Sequence, residues 1–266
     1  IDLMRELNIE KNVTFIFSTH DKIGNTEFVF SRGDGSPELM DQIYRLRYQV
    51  YCNECNFIKA ADYPSKSESD KYDPFSIHFT IQDDIGVIGT TRLILDNPYG
   101  LPFVIHCADT LSVDIGSFDK TRICEVSRLA ISKRYRKRKD DGLYYANEDV
   151  DSDRKISLAE NIKRIKPMTF GMYREIYQEC KRRGITHFFA LMEKTLWMLL
   201  RMHNFNFTPI GPDVEFYGKV RPYMCDIGEL EKNVYAKAYK FYEYFLDGLE
   251  DEYRPKFDEP PEEKNE

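Results

Sequence analysis

The sequence predicts a mixed α/β (α+β) fold, on two observations about its apolar residues and one about its length. Two alternating strand-like runs, residues 78–82 and 86–95, are joined by Asp83-Asp84, which is typical of an antiparallel hairpin. The apolar run 185–192 follows a helical pattern at residues 167–183, and a strand reached through a helix is expected to pair in parallel with an earlier strand. The 266 residues are also enough for one large domain with a buried core.

The first part of the chain is predicted to contain two strands and one helix. Alternating apolar residues at 13–17 and 27–31 predict the strands. The helix should begin at Ser36, because Ser36 is a suitable N-cap, Pro37 is accepted at the first helical position and Glu38 favours the first turn. Apolar residues then keep helical spacing on one face, which places Arg47 and Tyr51 together on a neighbouring face.

The remainder of the chain alternates strands and helices. Residues 123–131 predict a central strand, and Gly184 is a typical C-terminal stop for the helix before it. The later elements are a strand at 185–192, a helix at 194–203, strands at 205–210 and 215–225, and a helix from 229 to about 248. We therefore expect one domain over residues 1–248, with a polar insertion at about 133–165 and an acidic, disordered tail at 249–266.

The composition predicts a cytoplasmic protein without integral membrane contact. A net charge of -7 argues against generic nucleic-acid binding. No apolar run approaches the ~20 residues of a membrane span, and residues 1–10 lack the basic and apolar regions of a secretory signal. The 6 cysteines lie mostly inside apolar runs of a long chain, which indicates reduced thiols rather than a disulfide framework.

Charged residues recur in apolar surroundings, where an ion must be paired or functional. They lie on the first helix, in an acidic stretch before the hairpin, and on two strands: Arg47, Glu68, Asp70, Asp73, Arg92, Glu125 and Arg128. Strand alternation predicts that Glu125 and Ser127 share one face and that Arg128 points to the other. Both a structural network of ion pairs and a functional site would explain the pattern.

The spacing of these residues resembles the signature of the acyl-homoserine-lactone autoinducer synthases, over roughly residues 40–131. The matching elements are Arg47-x3-Tyr51, Phe57, Glu68-x-Asp70-x2-Asp73, Gly89-x2-Arg92-Leu93 and Glu125-x-Ser127-Arg128. Tyr51 and Phe57 stand where Phe and Trp are usual. The family belongs to the GNAT-like acyltransferase superfamily. The resemblance extends to the N-acyl amino acid synthases and exosortase-associated acyltransferases, which the downstream residues 184–193 and 209–212 resemble more closely.

The resemblance implies a GNAT-like three-layer fold, with a central mixed, splayed sheet flanked by helices. It implies that Glu125 is the base that takes a proton from the attacking amine, and that the backbone N–H groups of Leu129 and Ala130 hold the oxyanion. The residues that match the acceptor pocket of the family are Arg47, Tyr51, Phe57, Asp70, Asp73, Arg92, Ser127 and Arg128. Arginines suit a carboxylate, and aspartates suit an ammonium group.

A run of cations follows the central strand and bears on the acyl donor. It contains Lys133, Arg134, Arg136, Lys137 and Arg138, but none of the glycines of the phosphate-binding loop that GNAT folds have at this point. The run therefore favours docking of an acidic acyl carrier protein over coenzyme A. We expect acyl carrier protein or coenzyme A thioester as co-substrate and no tightly bound cofactor.

Two further patterns resemble metal sites, but each lacks a residue that such a site requires. Cys52-x2-Cys55 has no second Cys or His pair at zinc spacing. Residues 149–160 place acids as in a calcium-binding EF-hand loop, yet Arg154 stands where glycine permits the turn. We expect no metal, although calcium binding at residues 149–160 stays open. The five histidines are not spaced for a metal site or a catalytic triad.

These observations predict an N-acyltransferase that moves a long-chain acyl group from an acyl carrier protein to the amine of an amino acid or related small acceptor. Three alternatives stay open: a lactone-signal synthase that uses S-adenosylmethionine, a short-chain acetyltransferase, and a non-catalytic acyl-binding or interaction module.

Overall fold

A computed structural model of the chain describes residues 19–23, 26–33, 36–133 and 158–257. The strand predicted at residues 13–17 lies outside these ranges. The described helices are α1 Pro37–Tyr48, α2 Pro102–Cys107, α3 Leu158–Arg183, α4 Lys194–Met202, α5 Ile227–Lys237 and α6 Tyr239–Leu246. The strands are β1 Thr19–Ile23, β2 Thr26–Arg32, β3 Ser76–Gln82, β4 Val87–Ile94, β5 Ile123–Ile131, β6 His187–Met192, β7 Thr208–Pro209, β8 Val214–Glu215 and β9 Lys219–Asp226.

The strands form one mixed sheet in the order β1-β2-β3-β4-β5-β6-β9-β7, with β8 paired to β9. Within the described residues, β5 and β6 pair in parallel and the other neighbours are antiparallel. The hairpin β3–β4 and the parallel strand reached through α3 were both predicted from the sequence. The mixed α/β fold is therefore confirmed.

The sheet opens between β5 and β6. These strands pair over only three positions, the last of which joins Glu125 to Phe189. Beyond this point β5 continues to pair with β4 as far as Ile131, and β6 continues to pair with β9 as far as Met192. The two halves of the sheet thus diverge, and Glu125 lies where the divergence begins.

Helices cover both faces of the sheet. On one face, α3, α5 and α6 pack on a large apolar core that includes Leu93 and Val126. Gly171 on α3 allows close approach, because a Cβ there would lie 2.3 Å from the Phe30 ring. Neighbouring strand residues point the other way, so Ile94 joins a second apolar cluster beside α2, while α1 lies against β4 and β5.

Several element boundaries differ from the predicted ones. The strand predicted over residues 205–210 is limited to β7, and the strand predicted over residues 215–225 is two strands, β8 and β9, with a turn between them. The first helix begins as predicted, with Ser36 Oγ accepting the Leu39 N–H at 3.3 Å, and continues as a π-helical turn over Gln49–Glu54. Helix α3 begins at Leu158, within the predicted insertion. The single helix predicted from residue 229 is two, α5 and α6, because the backbone leaves helical geometry at Ala238.

Residues 249–257, where the sequence predicts the start of a tail, pack against the helical face. Leu249 is 2% exposed, and the Phe257 ring stacks on Tyr235 with centroids 4.3 Å apart. Residues 258–266 lie outside the described ranges. Among the described helices, none is long and apolar enough to cross a membrane.

Candidate active site

Six charged side chains from four segments meet on the face of the sheet that α1 covers. They are three arginines and three carboxylates, so their formal charges balance: Arg47, Arg92, Arg128, Glu68, Asp70 and Asp73. We call this group the ion cluster. In the sequence, these residues were grouped only because their spacing resembles a family signature. In the fold, they are in direct contact.

Arg47 joins helix α1 to the acidic stretch. Its Nε donates to Glu68, and its Nη1 donates to Asp73 Oδ1 at 2.6 Å. Arg47 and Glu68 are both 0% exposed. The Glu68 backbone N–H also donates to the Tyr44 carbonyl at 3.0 Å, which holds the stretch against the helix. Buried ions require such pairing, so Arg47 and Glu68 brace the site from beneath.

Arg92 on β4 is the centre of the ion cluster. Its Nη1 and Nη2 donate to the two oxygens of Asp70 at 2.7 and 2.8 Å, a bidentate arrangement. Nη1 also donates to Asp73 at 2.7 Å, and Nε donates to Ser127 Oγ at 3.0 Å. Burial raises the pKa of Asp70, but hydrogen bonds and charge from Arg92 outweigh burial and hold it well below its ordinary value. Asp70 is therefore ionised at neutral pH.

A β-bulge turns Arg128 towards the same cluster, which corrects the prediction from strand alternation. The pairing of β4 with β5 passes from Thr90↔Ala130 to Arg92↔Ser127, so β5 has an extra residue. Arg128 has a left-handed backbone, with φ of 55°. Its Nη2 donates to Glu68 and Asp70, both at 3.1 Å. Arg128 thus shares the face of Ser127 rather than that of Val126.

Arg128 is the most exposed of the three arginines in the ion cluster. Its side chain is 11% exposed, compared with 1% for Arg47 and for Arg92. Glu68 and Asp70 accept hydrogen bonds from Nε and Nη2 of Arg128. Within the described residues, Nη1 donates no hydrogen bond. One N–H edge of the guanidinium is therefore available to an anion.

Tyr51 and Phe57 form an aromatic wall beside Arg128. The Tyr51 hydroxyl donates to the Leu129 carbonyl at 3.1 Å, and the Arg128 Cζ lies 5.5 Å from the Tyr51 ring centroid. Burial raises the pKa of Tyr51 to about 12, so the hydroxyl stays a donor. The Phe57 ring lies 6.1 Å from Tyr51. Both residues were predicted to be near the acceptor.

Glu125 lies on the same side of the sheet but forms no ion pair within the described residues. It is 3% exposed, and its Oε2 accepts the Phe103 N–H of α2 at 2.9 Å. Burial raises the pKa of Glu125 to about 7, although the Phe103 N–H and the charge of Arg92 act in the opposite direction. A carboxyl group with this pKa can take up or release a proton near neutral pH.

The two predicted oxyanion residues lie in and beside the bulge. Leu129, like Arg128, has no paired residue on β4, whereas Ala130 returns to register opposite Thr90. Leu129 is half-buried in a strand that is otherwise mainly buried. Backbone at a bulge next to the sheet opening can face a ligand instead of a neighbouring strand.

His78 belongs to this site although the sequence treats it as an ordinary packing or surface histidine. It is 2% exposed, lies opposite Arg92 on β3, and its Nε2 is 3.6 Å from Asp73 Oδ1. Burial lowers the pKa of His78 to about 4, so the ring is neutral at pH 7. Strand register relates it to Arg92, and register is known only once the fold is known. Phe103 and Tyr217, which contact Glu125 and Arg128 respectively, were also not identified from the sequence.

Several predicted residues lie outside the described ranges. Lys133 is described and exposed, but Arg134, Arg136, Lys137 and Arg138 are not described, and neither are residues 149–157 of the EF-hand-like pattern. Within the described residues, no group of three His, Cys, Asp or Glu side chains is arranged to hold a metal ion. Cys52 and Cys55 are both buried.

Comparison with known proteins identifies the domain. Residues 46–145, which contain the whole ion cluster and Glu125, match the family model of the acetyltransferase (GNAT) domain. No curated protein matches the sequence of this chain. The fold is similar to that of FeeM, an N-acyl amino acid synthase from uncultured soil microbes, with a TM-score of 0.54 and 15% identity over 79% of this chain and 95% of FeeM.

Two lactone synthases have the same fold. The AHL synthase LasI has a TM-score of 0.53 and 16% identity, over 76% of this chain and 91% of LasI. The CoA-dependent acyl-homoserine lactone synthase BjaI, solved with SAM and isopentyl-CoA, has a TM-score of 0.53 and 17% identity, over 80% of this chain and 82% of BjaI. The resemblance seen in the sequence is therefore confirmed for the fold and for residues 46–145, whose match to the GNAT acetyltransferase domain indicates an enzyme that transfers acyl groups.

Proposed function

We propose that this protein is an N-acyltransferase that moves a long-chain acyl group from an acyl carrier protein thioester to the amine of an amino acid or related small acceptor. The observation that carries the proposal is the position of Glu125, a buried carboxyl group at the point where β5 and β6 diverge, on the same face as the accessible edge of Arg128.

Glu125 has the properties of the base for this reaction. The amine nitrogen attacks the thioester carbonyl carbon, and its proton passes to Glu125 directly or through a water. The C–S bond then breaks, and the sulfur takes up that proton from Glu125, directly or through a water, and leaves as the thiol. A pKa of about 7 leaves a large share of Glu125 ionised at neutral pH and makes it a stronger base than an exposed carboxylate. The N–H groups of Leu129 and Ala130 are our candidates for stabilising the oxyanion of the tetrahedral intermediate.

Arg128 is our candidate for holding the acceptor. Its free N–H edge suits the carboxylate of an amino acid, while Glu68 and Asp70 keep the guanidinium in place. Arg47, Arg92, Asp73 and Ser127 act from beneath, as the scaffold that fixes Arg128 and Asp70. Tyr51 and Phe57 then provide the apolar side of the acceptor pocket.

The apolar cluster beside Glu125 is our candidate for the surface that the acyl chain contacts. Phe103 stacks on Phe189 with ring centroids 4.7 Å apart, and both belong to a buried cluster with Leu101, Ile123 and Ile210. A fatty acyl chain is stabilised by such surroundings. Carrier protein is preferred over coenzyme A as donor because the cationic run from Lys133 lacks a glycine-rich phosphate loop.

The test is transfer by purified protein. Carrier-bound and coenzyme A-bound acyl groups of eight to eighteen carbons are offered with a mixture of amino acids, or with S-adenosylmethionine, and products are identified by mass spectrometry. We expect N-acyl amino acids. A homoserine lactone formed from S-adenosylmethionine would instead establish the lactone synthase, and acetyl-coenzyme A turnover would establish the short-chain enzyme.

Replacing the base tests the mechanism. Glu125→Gln keeps the size of the side chain and its acceptor for Phe103 N–H, and should lower kcat by about 10²- to 10⁴-fold. The wild-type rate should fall as pH drops below about 7, since protonation removes the base. Glu243→Gln, at an exposed position of α6, is the matched control and should not change the rate. Full activity of Glu125→Gln would exclude Glu125 as the base.

A further inference from the structure

The turn between β8 and β9 bridges the two halves of the opened sheet. Strand β9 pairs with β6 on one side of the opening, and Arg128 belongs to β5 on the other. The turn residue Tyr217 nevertheless reaches Arg128, whose Cζ lies 5.5 Å from the Tyr217 ring centroid, and Phe57, whose ring lies 6.4 Å away. The turn therefore crosses the opening next to the available edge of Arg128.

Arg128 lies between two aromatic rings. Tyr51 and Tyr217 are each 5.5 Å from its Cζ, which is within the range of a cation–π contact. Glu68 and Asp70 hold Nε and Nη2. The two rings and the two carboxylates restrict the orientation of the guanidinium, and Nη1 is the nitrogen that the carboxylates leave for a ligand.

Backbone strain concentrates around this arrangement. Of the five non-glycine residues with positive φ in the described part of the chain, four lie in or beside it: Arg128, Tyr217, Asn56 before Phe57, and Lys66 shortly before Glu68. A left-handed backbone is unfavourable for a residue as large as Tyr217, at φ of 52°, and persists when the surrounding contacts over-determine it. Residues with such backbone conformations cluster at functional sites, although a tight hairpin turn also uses them.

The same turn also contacts the helix that holds the proposed base. Phe216 packs on His106 of α2 with ring centroids 3.9 Å apart. The first turn of α2 supplies the Phe103 N–H that binds Glu125. One turn thus contacts the groups on both sides of the reaction centre. Asp213 steadies the hairpin through ion pairs with Arg221 and Lys219, at 2.6 and 3.1 Å.

We propose that Tyr217 is a positioning and specificity-determining residue, which holds Arg128 with Nη1 towards the acceptor carboxylate and covers the acceptor pocket from the β9 side. This inference rests on the proposed function and adds a determinant from outside residues 46–145. Tyr217 acts through the face of its ring, so its hydroxyl is not required.

The kinetic test compares the effect of Tyr217 on KM for the acceptor with its effect on KM for the acyl donor. Tyr217→Ala and Tyr217→Asn both remove the ring, but asparagine tolerates the left-handed backbone better than alanine does. If both variants change KM equally, the change results from loss of the ring and not from backbone strain. We expect KM for a carboxylate-bearing acceptor to rise about 3- to 30-fold in both, with KM for the acyl donor within about twofold of wild type. Tyr217→Phe should behave as wild type. Equal effects on both substrates, or no effect on acceptor KM, would overturn the inference.

A second readout does not depend on acyl transfer. If Tyr217 covers one face of Arg128, its removal should increase the rate at which phenylglyoxal modifies Arg128 at least severalfold. Modification is followed by peptide mass spectrometry, with exposed Arg45 as the internal reference and Tyr217→Phe as the control. If no acceptor is acylated, the proposed function fails while this measurement still decides the inference: an unchanged labelling rate of Arg128 in Tyr217→Ala rejects it.

Discussion

At the scale of single residues, Glu125 is a carboxyl group at a buried position where an uncharged side chain would make the folded protein more stable at neutral pH. Glu125 is 3% exposed and receives one hydrogen bond, from Phe103, but no arginine pairs with it within the described residues. Asp70, by contrast, contacts Arg92 and Arg128 and has a lowered pKa. Two carboxylates on one face thus have opposite properties, because one is surrounded by apolar groups and the other by guanidinium groups.

Glu125 should therefore make stability depend on pH. In the unfolded chain it ionises near its ordinary pKa of 4.5, whereas the fold retains the proton up to about 7. The folded state binds more protons between these values, so this contribution to stability is complete below pH 4.5 and is lost as pH rises through 7. The difference corresponds to roughly 3 kcal/mol at pH 8.

Glu125→Gln should thus be more stable than wild type at pH 8, by up to roughly 3 kcal/mol relative to their difference at pH 5. Denaturant unfolding of both proteins at the two pH values measures this. The same stability difference at pH 5 and pH 8 would mean that Glu125 titrates normally in the fold.

At the scale of elements, one buried arginine connects helix α1 to the site. Arg47 contacts Glu68 and Asp73, and neither carboxylate is exposed enough for water to replace it. Removing one partner from a buried ion cluster leaves charge without compensation, which costs more than the intact pair contributes. The orientation of α1 and the acidic stretch therefore depends on Arg47.

Arg47→Met should lower the free energy of unfolding by about 3–5 kcal/mol, because methionine fills the space but removes one cation from the buried ion cluster, so that within the described residues Glu68 keeps only Arg128 and Asp73 keeps only Arg92 as arginine partners. Arg45→Met is a matched control on the same helix, since Arg45 is 60% exposed and bonds only Asp41. Urea unfolding of both variants measures the difference. Equal stability of the two would show that the cluster tolerates the loss of Arg47.

At the scale of the whole molecule, the two halves of the sheet are joined by few strand pairs and by a shared helical face. Strands β5 and β6 pair at three positions, whereas α3, α5 and α6 cover residues from both halves, among them Val126 and Tyr223. Residues 249–257 complete this face, with Leu249 and Phe257 in contact with it. The opening between the halves is therefore stabilised from the side opposite the site.

A chain ending at residue 248 should consequently be less stable than the full chain. Loss of buried Leu249 and of the Phe257–Tyr235 stack removes about 3 kcal/mol or more, which corresponds to a Tm lower by roughly 10 °C. A chain ending at residue 257 keeps these contacts and serves as control. Thermal unfolding measures Tm for the full chain and for the two shortened chains. If the chain ending at residue 248 has the Tm of the full chain, the packing of residues 249–257 does not contribute to stability.

The element types, the mixed sheet and the site residues that belong to a spaced pattern could all be predicted from the amino-acid sequence. Ser36-Pro37 marks a helix start, and Asp83-Asp84 marks a hairpin, because short-range sterics and hydrogen bonds decide both. Arg47, Arg92 and Glu125 stand out for a similar reason, since ionised groups among apolar neighbours are costly wherever the chain places them.

The contacts and the protonation states of these residues depend on the three-dimensional fold and could not be predicted from the sequence. The side on which Arg128 lies depends on a bulge, which adds one residue to β5 and reverses the alternation read from the sequence. His78 and Tyr217 join the site through strand register and a turn that crosses the sheet opening, and no local pattern contains either relation. The difference between Asp70 and Glu125 arises likewise from neighbours distant along the chain, because charge and burial act through space.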